Sequence, residues 1–210
     1  MKTDKIIKAG LIFEDSKLLL QIISSLKNNQ IIVAPTETRY GLLVRADNKT
    51  ALENLYKMKQ RPSFMPTAVF VKSLKEIDDL AIMNEISTKL TNRFLPGPLT
   101  LVLKAKIVFP EPVVVNNKIG IRYSPSEIIN KIVNSVDFPL TATSANLSGQ
   151  NENETMEEIY QTFGQKVDFY LDEGRLNSLS STVVDCSESR CHILRAGAID
   201  NNKIMDLLSK

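Results

Sequence analysis

The sequence predicts an α/β fold: a single domain on a twisted, mixed, open sheet with flanking helices. Three observations carry this. Strand-length apolar runs alternate with amphipathic helical stretches along the 210 residues. Some strands are joined by hairpin-length connections and others by helical crossovers. No repeat, low-complexity block or linker divides the chain, and one domain of this length can enclose a sizeable core. The composition, 43% hydrophobic and 24% charged, is that of an ordinary globular protein.

The elements follow in order. Asp15 or Ser16 caps a helix whose Leu18, Ile22 and Leu26 share a face, ended by Asn28-Asn29-Gln30. Residues 31–34 form a strand that opens into the polar Thr36-Glu37-Thr38-Arg39 before Tyr40-Gly41-Leu42-Leu43-Val44 turns apolar again. Asn48 or Thr50 caps a helix to Lys59, where Arg61-Pro62 stops it because proline disfavours helix in the residue before it. A strand over 67–71 and helices over 74–81 and 84–94 lead to the rigid turn Pro96-Gly97-Pro98, which feeds a strand over 99–103. Residues 118–122 alternate as a strand, 125–136 as a helix, and a strand over 140–143 runs into Ser144-Ala145-Asn146. Residues 149–155, polar and acidic, read as a mobile loop. A helix over 156–163, strands over 167–171, 182–185 and 193–195 and a short helix complete the chain.

Several chemistries are excluded. The glycines are too scattered for a dinucleotide or Walker fingerprint, and no G-x-S-x-G elbow occurs. The single histidine, His192, sits in an expected strand beside Cys191, which argues against a Ser-His-Asp triad or a histidine-based zinc site. Cys186 and Cys191 lack C-x-x-C spacing and read as strand or turn fill. Residues 1–5 show no export signal, and no apolar run approaches the ~18 residues of a membrane span, so reduced thiols in a cytoplasm are expected. The net charge of +2 hides an asymmetry, with 20 Lys/Arg against 12 Asp/Glu in residues 1–131 and 6 against 12 in residues 132–210. A basic first part suits anionic partners such as nucleotides or RNA, although folding can intermix such charges.

Strands and helices that end in compact polar groups mark the candidate site. Lys59-Gln60-Arg61-Pro62 places two cations at a helix end, where they complement the dipole or clamp a phosphate. Thr143-Ser144-Ala145-Asn146 and Ser181-Thr182-Val183-Val184-Asp185 offer small hydrogen-bonding residues, while Arg122 and Arg195 add cations at strand ends. Ligands of open α/β sheets gather at such ends.

In combination these stretches resemble the YrdC-like family. The motifs are Pro35-Thr36-Glu37-Thr38-x-Tyr40-Gly41-Leu42, Lys59-x-Arg61-Pro62, Pro96-Gly97-Pro98-Leu99-Thr100, Ser144-Ala145-Asn146-x-Ser148-Gly149, Ser181-Thr182-Val183-Val184-Asp185 and Leu194-Arg195-x-Gly197. They stand in the family's order, and the resemblance runs from about residue 31 to 198, in the short form without an extra C-terminal domain. It implies a basic concave cavity on the sheet and a nucleotidyltransferase that makes L-threonylcarbamoyl-AMP and pyrophosphate from L-threonine, bicarbonate and ATP, with Mg²⁺ held by the phosphates. A threonylcarbamoyl transferase complex would then modify tRNA at position 37, with direct tRNA contact left open. ATP would be bound by Lys59, Arg61, Ser63, Ser144, Asn146 and Arg195, with Lys59, Arg61, Ser144 and Asn146 catalytic. Threonine and bicarbonate would be held by Thr36, Thr38, Tyr40, Arg122 and Ser181. The chain departs from the family pattern at Arg39, Leu43, Met65 and Tyr123-Ser124-Pro125-Ser126, and Met65 is expected beside threonine. The alternatives are a YrdC-like paralogue that adenylates another carbamoyl or amino-acid acceptor, and a non-catalytic RNA-binding module. The latter would want aromatic platforms, and only 6% of residues are aromatic.

Overall fold

A computed structural model of the protein describes residues 5–208; residues 1–4, where the sequence shows no export signal, lie outside the described residues. Strand β1 (Ile6–Lys8) and the single-turn helix α1 (Leu11–Glu14) were not anticipated, since neither is long enough for periodicity to show. Asp15 caps α2 (Ser16–Lys27) by accepting from the Lys17 and Leu18 amides, and Leu18, Ile22 and Leu26 form its buried face. Strands β2 (Ile32–Pro35) and β3 (Tyr40–Leu43) pair as a hairpin closed by Pro35 opposite Tyr40, so the polar Thr36-Glu37-Thr38-Arg39 is its tip. Asn48 caps α3 (Lys49–Lys59), which ends at Gln60 in the left-handed region.

Beyond β4 (Ala68–Phe70), Ser73 caps α4 (Leu74–Leu80). That helix stops short of 81 because Ala81 and Ile82 form the short strand β5 (Ala81–Ile82) against β6 (Leu99–Ala105). Between β5 and β6, α5 (Glu85–Phe94) starts with a capping box of Asn84 and Ser87. Strands β7 (Val114–Val115) and β8 (Lys118–Arg122) pair around Asn116-Asn117, both at positive φ as a tight hairpin turn requires. Ser126 caps α6 (Glu127–Asn134), two residues shorter at each end than expected, and β9 (Leu140–Ser144) follows. Thr155 and Glu158 box the start of α7 (Met156–Phe163). Then come β10 (Phe169–Asp172), β11 (Thr182–Asp185), β12 (His192–Arg195) and α8 (Asn201–Leu208).

The strands form one mixed sheet in the order β1-β10-β2-β3-β9-β4-β8-β6-β11-β12, with β5 on β6 and β7 on β8. The predicted α/β architecture stands. Two cores cover it. On one face α2 and α6 pack Ile22, Leu26, Ile128 and Ile132 onto Ile32, Leu43, Leu140 and Leu171. On the other, α3, α5, α7 and α8 pack onto Val33, Leu42, Val69, Leu101 and Ile121. Strands β2 and β3 are buried on both faces, which is why they read as unbroken apolar runs.

The α2–α6 cover stops part-way across the sheet. Over β4, β6 and β8 the residues between Val69, Leu101, Ile119 and Ile121 point instead at an open concavity, and they are Ala68, Thr100, Val102 and Gly120. One face of these strands is core and the other is the floor of a cavity. Its far wall depends on Gly197: a Cβ there would lie 2.6 Å from both the Ser181 carbonyl carbon and the Thr182 nitrogen, and closer still to the Ser180 carbonyl oxygen. Gly197→Ala must therefore push β11 or the segment after β12 aside, and should cost about 1–3 kcal/mol in urea unfolding. An unchanged midpoint would show that the wall yields freely.

Candidate active site

The cavity encloses about 480 Å³, large enough for a nucleotide-sized ligand. Small side chains make its floor, and five cationic side chains line its walls: Arg39, Arg61, Lys118, Arg122 and Arg195. Three of these are already neutralised. Arg122 meets Glu37 Oε1 at 2.6 Å, Lys118 meets Asp185 at 3.0 Å, and Arg39 faces Glu152 and Glu154 at 3.4 and 3.3 Å. Among the described residues neither Arg61 nor Arg195 makes an ion pair. Burial lowers the Arg195 pKa from its ordinary value; the negative charge of Glu152, also on the cavity wall, opposes this, and the positive charges of Arg122 and Arg61 add to the lowering. Like charges held this close favour a polyanion between them.

Lys59 differs from its expected place. The sequence puts its head group at an exposed helix end; the structure buries it, 1% exposed. Its Nζ donates to the Asn146 carbonyl at 2.8 Å and to the Ser144 carbonyl, while the Lys59 carbonyl accepts from the Ser148 amide at 2.9 Å. Helix α3 and the turn after β9 are thus knotted together. Burial, and next the charge of Arg61, bring the Lys59 pKa down to about 7. Ser144 Oγ faces the cavity and donates to Asn146 Oδ1 at 2.6 Å; Asn146 Nδ2 donates to the Leu147 and Gln150 carbonyls and shapes the turn.

The hairpin tip answers why a core strand opens into polar residues. Thr36 Oγ1 accepts from the Thr38 and Arg39 amides at 3.1 and 3.2 Å and donates to the Arg39 carbonyl at 2.6 Å, holding the tip rigid from behind. Thr38 and Arg39 reach the cavity, and Thr38 Oγ1 accepts from Arg122 at 3.1 Å. Tyr40 lines the same wall, but its hydroxyl is held at the end of β10, 2.6 Å from the Gly174 carbonyl and accepting from the Glu173 amide at 2.9 Å. Ser181 lines the opposite wall, hydrogen-bonded to Thr100 at 2.8 Å and to Arg195 at 3.1 Å. Ser63 does not join them: it is exposed on the loop after α3 and outside the lining. Met65 is also absent from the wall, where its neighbours Phe64 and Pro66 stand instead. The Met65 carbonyl accepts from Tyr56 Oη at 2.6 Å, which turns that segment.

Comparison with known proteins identifies the family. The Sua5–YciO–YrdC family model, described as "Telomere recombination", matches residues 24–197. The chain belongs to this family. It is 34% identical over 193 residues to a putative threonylcarbamoyl-AMP synthase of Methanocaldococcus jannaschii, covering 91% of each chain. It is 29% identical to the threonylcarbamoyl-AMP synthase of Pyrococcus abyssi over 88% of this chain and 55% of that one, so it spans about half of that longer relative. The solved structure of P. abyssi Sua5 complexed with L-threonine superposes with a TM-score of 0.86 at 27% identity, over 92% of this chain and 58% of that one. Escherichia coli YciO shares the fold, with a TM-score of 0.81 at 23% identity over 89% and 92% of the two chains.

Within this Sua5–YciO–YrdC domain, carboxylates complete the site, and sequence reading assigned them no role. Glu37 accepts from both Arg122 and Ser124, bridging the hairpin tip to the segment after β8. The 149–155 segment, expected to be mobile, is tied instead. Glu152 pairs with Arg39 and accepts from Ser180, Glu154 pairs with Arg39 and with Arg175 at 2.5 Å, and Asn153 donates to the Ala145 carbonyl at 2.9 Å. Arg39 also donates to the Leu176 carbonyl at 2.9 Å. The only advance sign of this strap was the coincidence of an unusual Arg39 with an acidic loop.

The contrast between Lys59 and Arg61 is measurable. Lys59→Ala removes a buried stem and strands two carbonyls, and should cost about 2–4 kcal/mol of unfolding free energy. Arg61→Ala should stay within about 0.5 kcal/mol, as at an ordinary partly exposed site. Equal small effects in chemical denaturation would show that Lys59 does not hold the turn.

Proposed function

We propose that the protein is a threonylcarbamoyl-AMP synthase, joining L-threonine, bicarbonate and ATP into L-threonylcarbamoyl-AMP with release of pyrophosphate. The observation that carries this reading is the pair of unneutralised guanidiniums, Arg61 and Arg195, in one cavity with the polar Ser144 turn and Arg122. Threonine's amine captures bicarbonate as an N-carboxylate with loss of water. A carboxylate oxygen then attacks the α-phosphorus of ATP, and the bond to pyrophosphate breaks. Both reactants are anions, so aligning and neutralising them is the main catalytic task.

In this reading Arg61 and Arg195 grip the phosphates, and Lys59 adds positive charge from behind the Ser144–Asn146 turn. Ser144 Oγ meets nucleotide or carbamate oxygens. Arg122, fixed by Glu37 and Thr38, would meet the threonine carboxylate, with Ser181 beside it. Mg²⁺ enters with the ATP phosphates, and no residue of the chain is assigned to it. The product would pass to a transferase that modifies tRNA.

One observation favours a second reading. Glu37 and Thr38 already engage Arg122, and the segment after it differs from the family pattern at Tyr123-Ser124-Pro125-Ser126. A different acyl acceptor would then fill the same site. Labelled bicarbonate separates the two: with ATP, a labelled adenylate should form only when threonine is present. Equal labelling with serine, or labelling without any amino acid, would overturn the threonine assignment. In the same assay Arg61→Ala should lower kcat/KM by about 10²–10³-fold, the usual cost of losing one preorganised donor to developing charge. Activity within a few-fold of the parent would reduce Arg61 to a complement of the α3 dipole.

A further inference from the structure

Cys186 and Cys191 are the two cysteines of the chain, and both are free thiols. The fold brings them to one place. In the β11–β12 hairpin Val184 stands opposite Ile193 and Asp185 opposite His192, so the next opposed positions are Cys186 and Cys191, on either side of the turn 187–190. The Cys186 amide donates to the Val102 carbonyl of β6 at 2.8 Å, and its carbonyl accepts from Asn84 Nδ2 at 2.8 Å. Both backbone groups of Cys186 therefore face away from β12, which makes Cys186–Cys191 a non-hydrogen-bonded cross-strand pair. Opposed residues of that kind have Cα atoms about 4.5 Å apart and their side chains on the same face. A disulfide bridges Cα separations of roughly 4.4–6.8 Å.

The two thiols also differ in the way an attacking and a resolving cysteine differ. Cys186 is buried and Cys191 only partly so. Contact with the Cys191 thiol, and then burial, push the Cys186 pKa up, while contact with Cys186 lowers that of Cys191. The more accessible sulfur is the better nucleophile.

We propose that Cys186 and Cys191 form a reversible dithiol–disulfide couple, oxidised by peroxides. The Cys191 thiolate attacks the peroxide, the O–O bond breaks, and one oxygen leaves as water after taking up a proton, leaving a sulfenic acid on Cys191. The Cys186 sulfur then attacks the Cys191 sulfur; the S–O bond breaks, the S–S bond forms, and a second water leaves with the Cys186 proton. Two thiols lose two electrons, and hydrogen peroxide is reduced to two waters. The bond would staple β12, which among the described residues is paired on one side only, to β11. Those strands carry Arg195 and Asp185 of the cavity wall, so the modification lies next to the site without using any residue assigned to it.

The sequence supplies the test. Trypsin cuts after Arg175, Arg190 and Arg195, so peptides 176–190 and 191–195 hold one cysteine each and separate on cleavage unless a disulfide joins them. Intact protein is exposed to hydrogen peroxide, blocked with iodoacetamide, digested and read by mass spectrometry. Most chains should give the two peptides joined and lighter by two hydrogens than their sum, from a band that runs as a monomer without reductant and separates again with dithiothreitol. In Cys186→Ser, dimedone should trap the sulfenic acid on Cys191. Oxidation of Cys191 to sulfinic or sulfonic acid while Cys186 remains alkylatable would overturn the proposal. So would joined peptides found only in a dimer band, or two thiols left unchanged.

Discussion

A buried lysine holds this site together. Lys59 ends α3, yet its ammonium passes inside the fold to the carbonyls of Ser144 and Asn146, and its own carbonyl takes the Ser148 amide. One residue thereby fixes the turn after β9 against the segment that carries Arg61. Burying a cation disfavours its charged form, which is the main reason the Lys59 pKa falls to about 7 from its ordinary 10.5. Between those two values an unfolded chain keeps a proton that the folded chain releases. This group's contribution to stability therefore rises with pH across that interval, and below it the buried charge is a standing cost. An anion brought into the cavity relieves that cost, so the group that organises the turn also favours a phosphate nearby.

The rest of the site follows from how a half-covered sheet behaves. Where α2 and α6 lie over it, alternate residues on that face are large and apolar; where they stop, the same positions become Ala68, Thr100 and Gly120. Charge is then sorted rather than merely accumulated. Glu37 fixes Arg122, Asp185 fixes Lys118, and Glu152 with Glu154 fixes Arg39, which leaves Arg61 and Arg195 as the cavity cations without an ion pair among the described residues. Pairs of this kind give little net stability but hold their side chains in place, and the unpaired pair is where a polyanion gains most.

Much of this was legible in the sequence. The long periodic elements α2, α3 and α6 and the apolar strands β2, β6 and β8 declared themselves, because burial on one stripe or on both faces writes a period into the chain. So did the residues that the cavity gathers, since Thr38, Arg61, Arg122, Ser144, Ser181 and Arg195 stand in motifs of the family. What stayed hidden depended on pairing across long separations. The Lys59 stem runs inward to a turn 85 residues away, and no local pattern distinguishes that from a lysine pointing to water. Glu152 looked like part of a solvated acidic loop until Arg39 and Ser180 were found beside it. Met65 fails as a pocket residue for a similar reason. The loop after α3 is turned by the Tyr56 hydrogen bond, and a family position does not fix which way a side chain points once the loop is re-aimed.

The central claim is that a buried, proton-releasing lysine lies behind the turn that lines a polyanion site, and proton uptake on nucleotide binding tests it most directly. ATP binding should be followed by isothermal titration calorimetry in buffers of different ionisation enthalpy, near pH 8 and again near pH 6. About a unit above its free-protein pKa, Lys59 is mostly neutral, and an arriving triphosphate should restore its proton. The account predicts uptake approaching one proton per site near pH 8, and little from this group near pH 6, where it is already charged. ATP that binds near pH 8 with no proton uptake, or a protein that does not bind ATP at all, would contradict it.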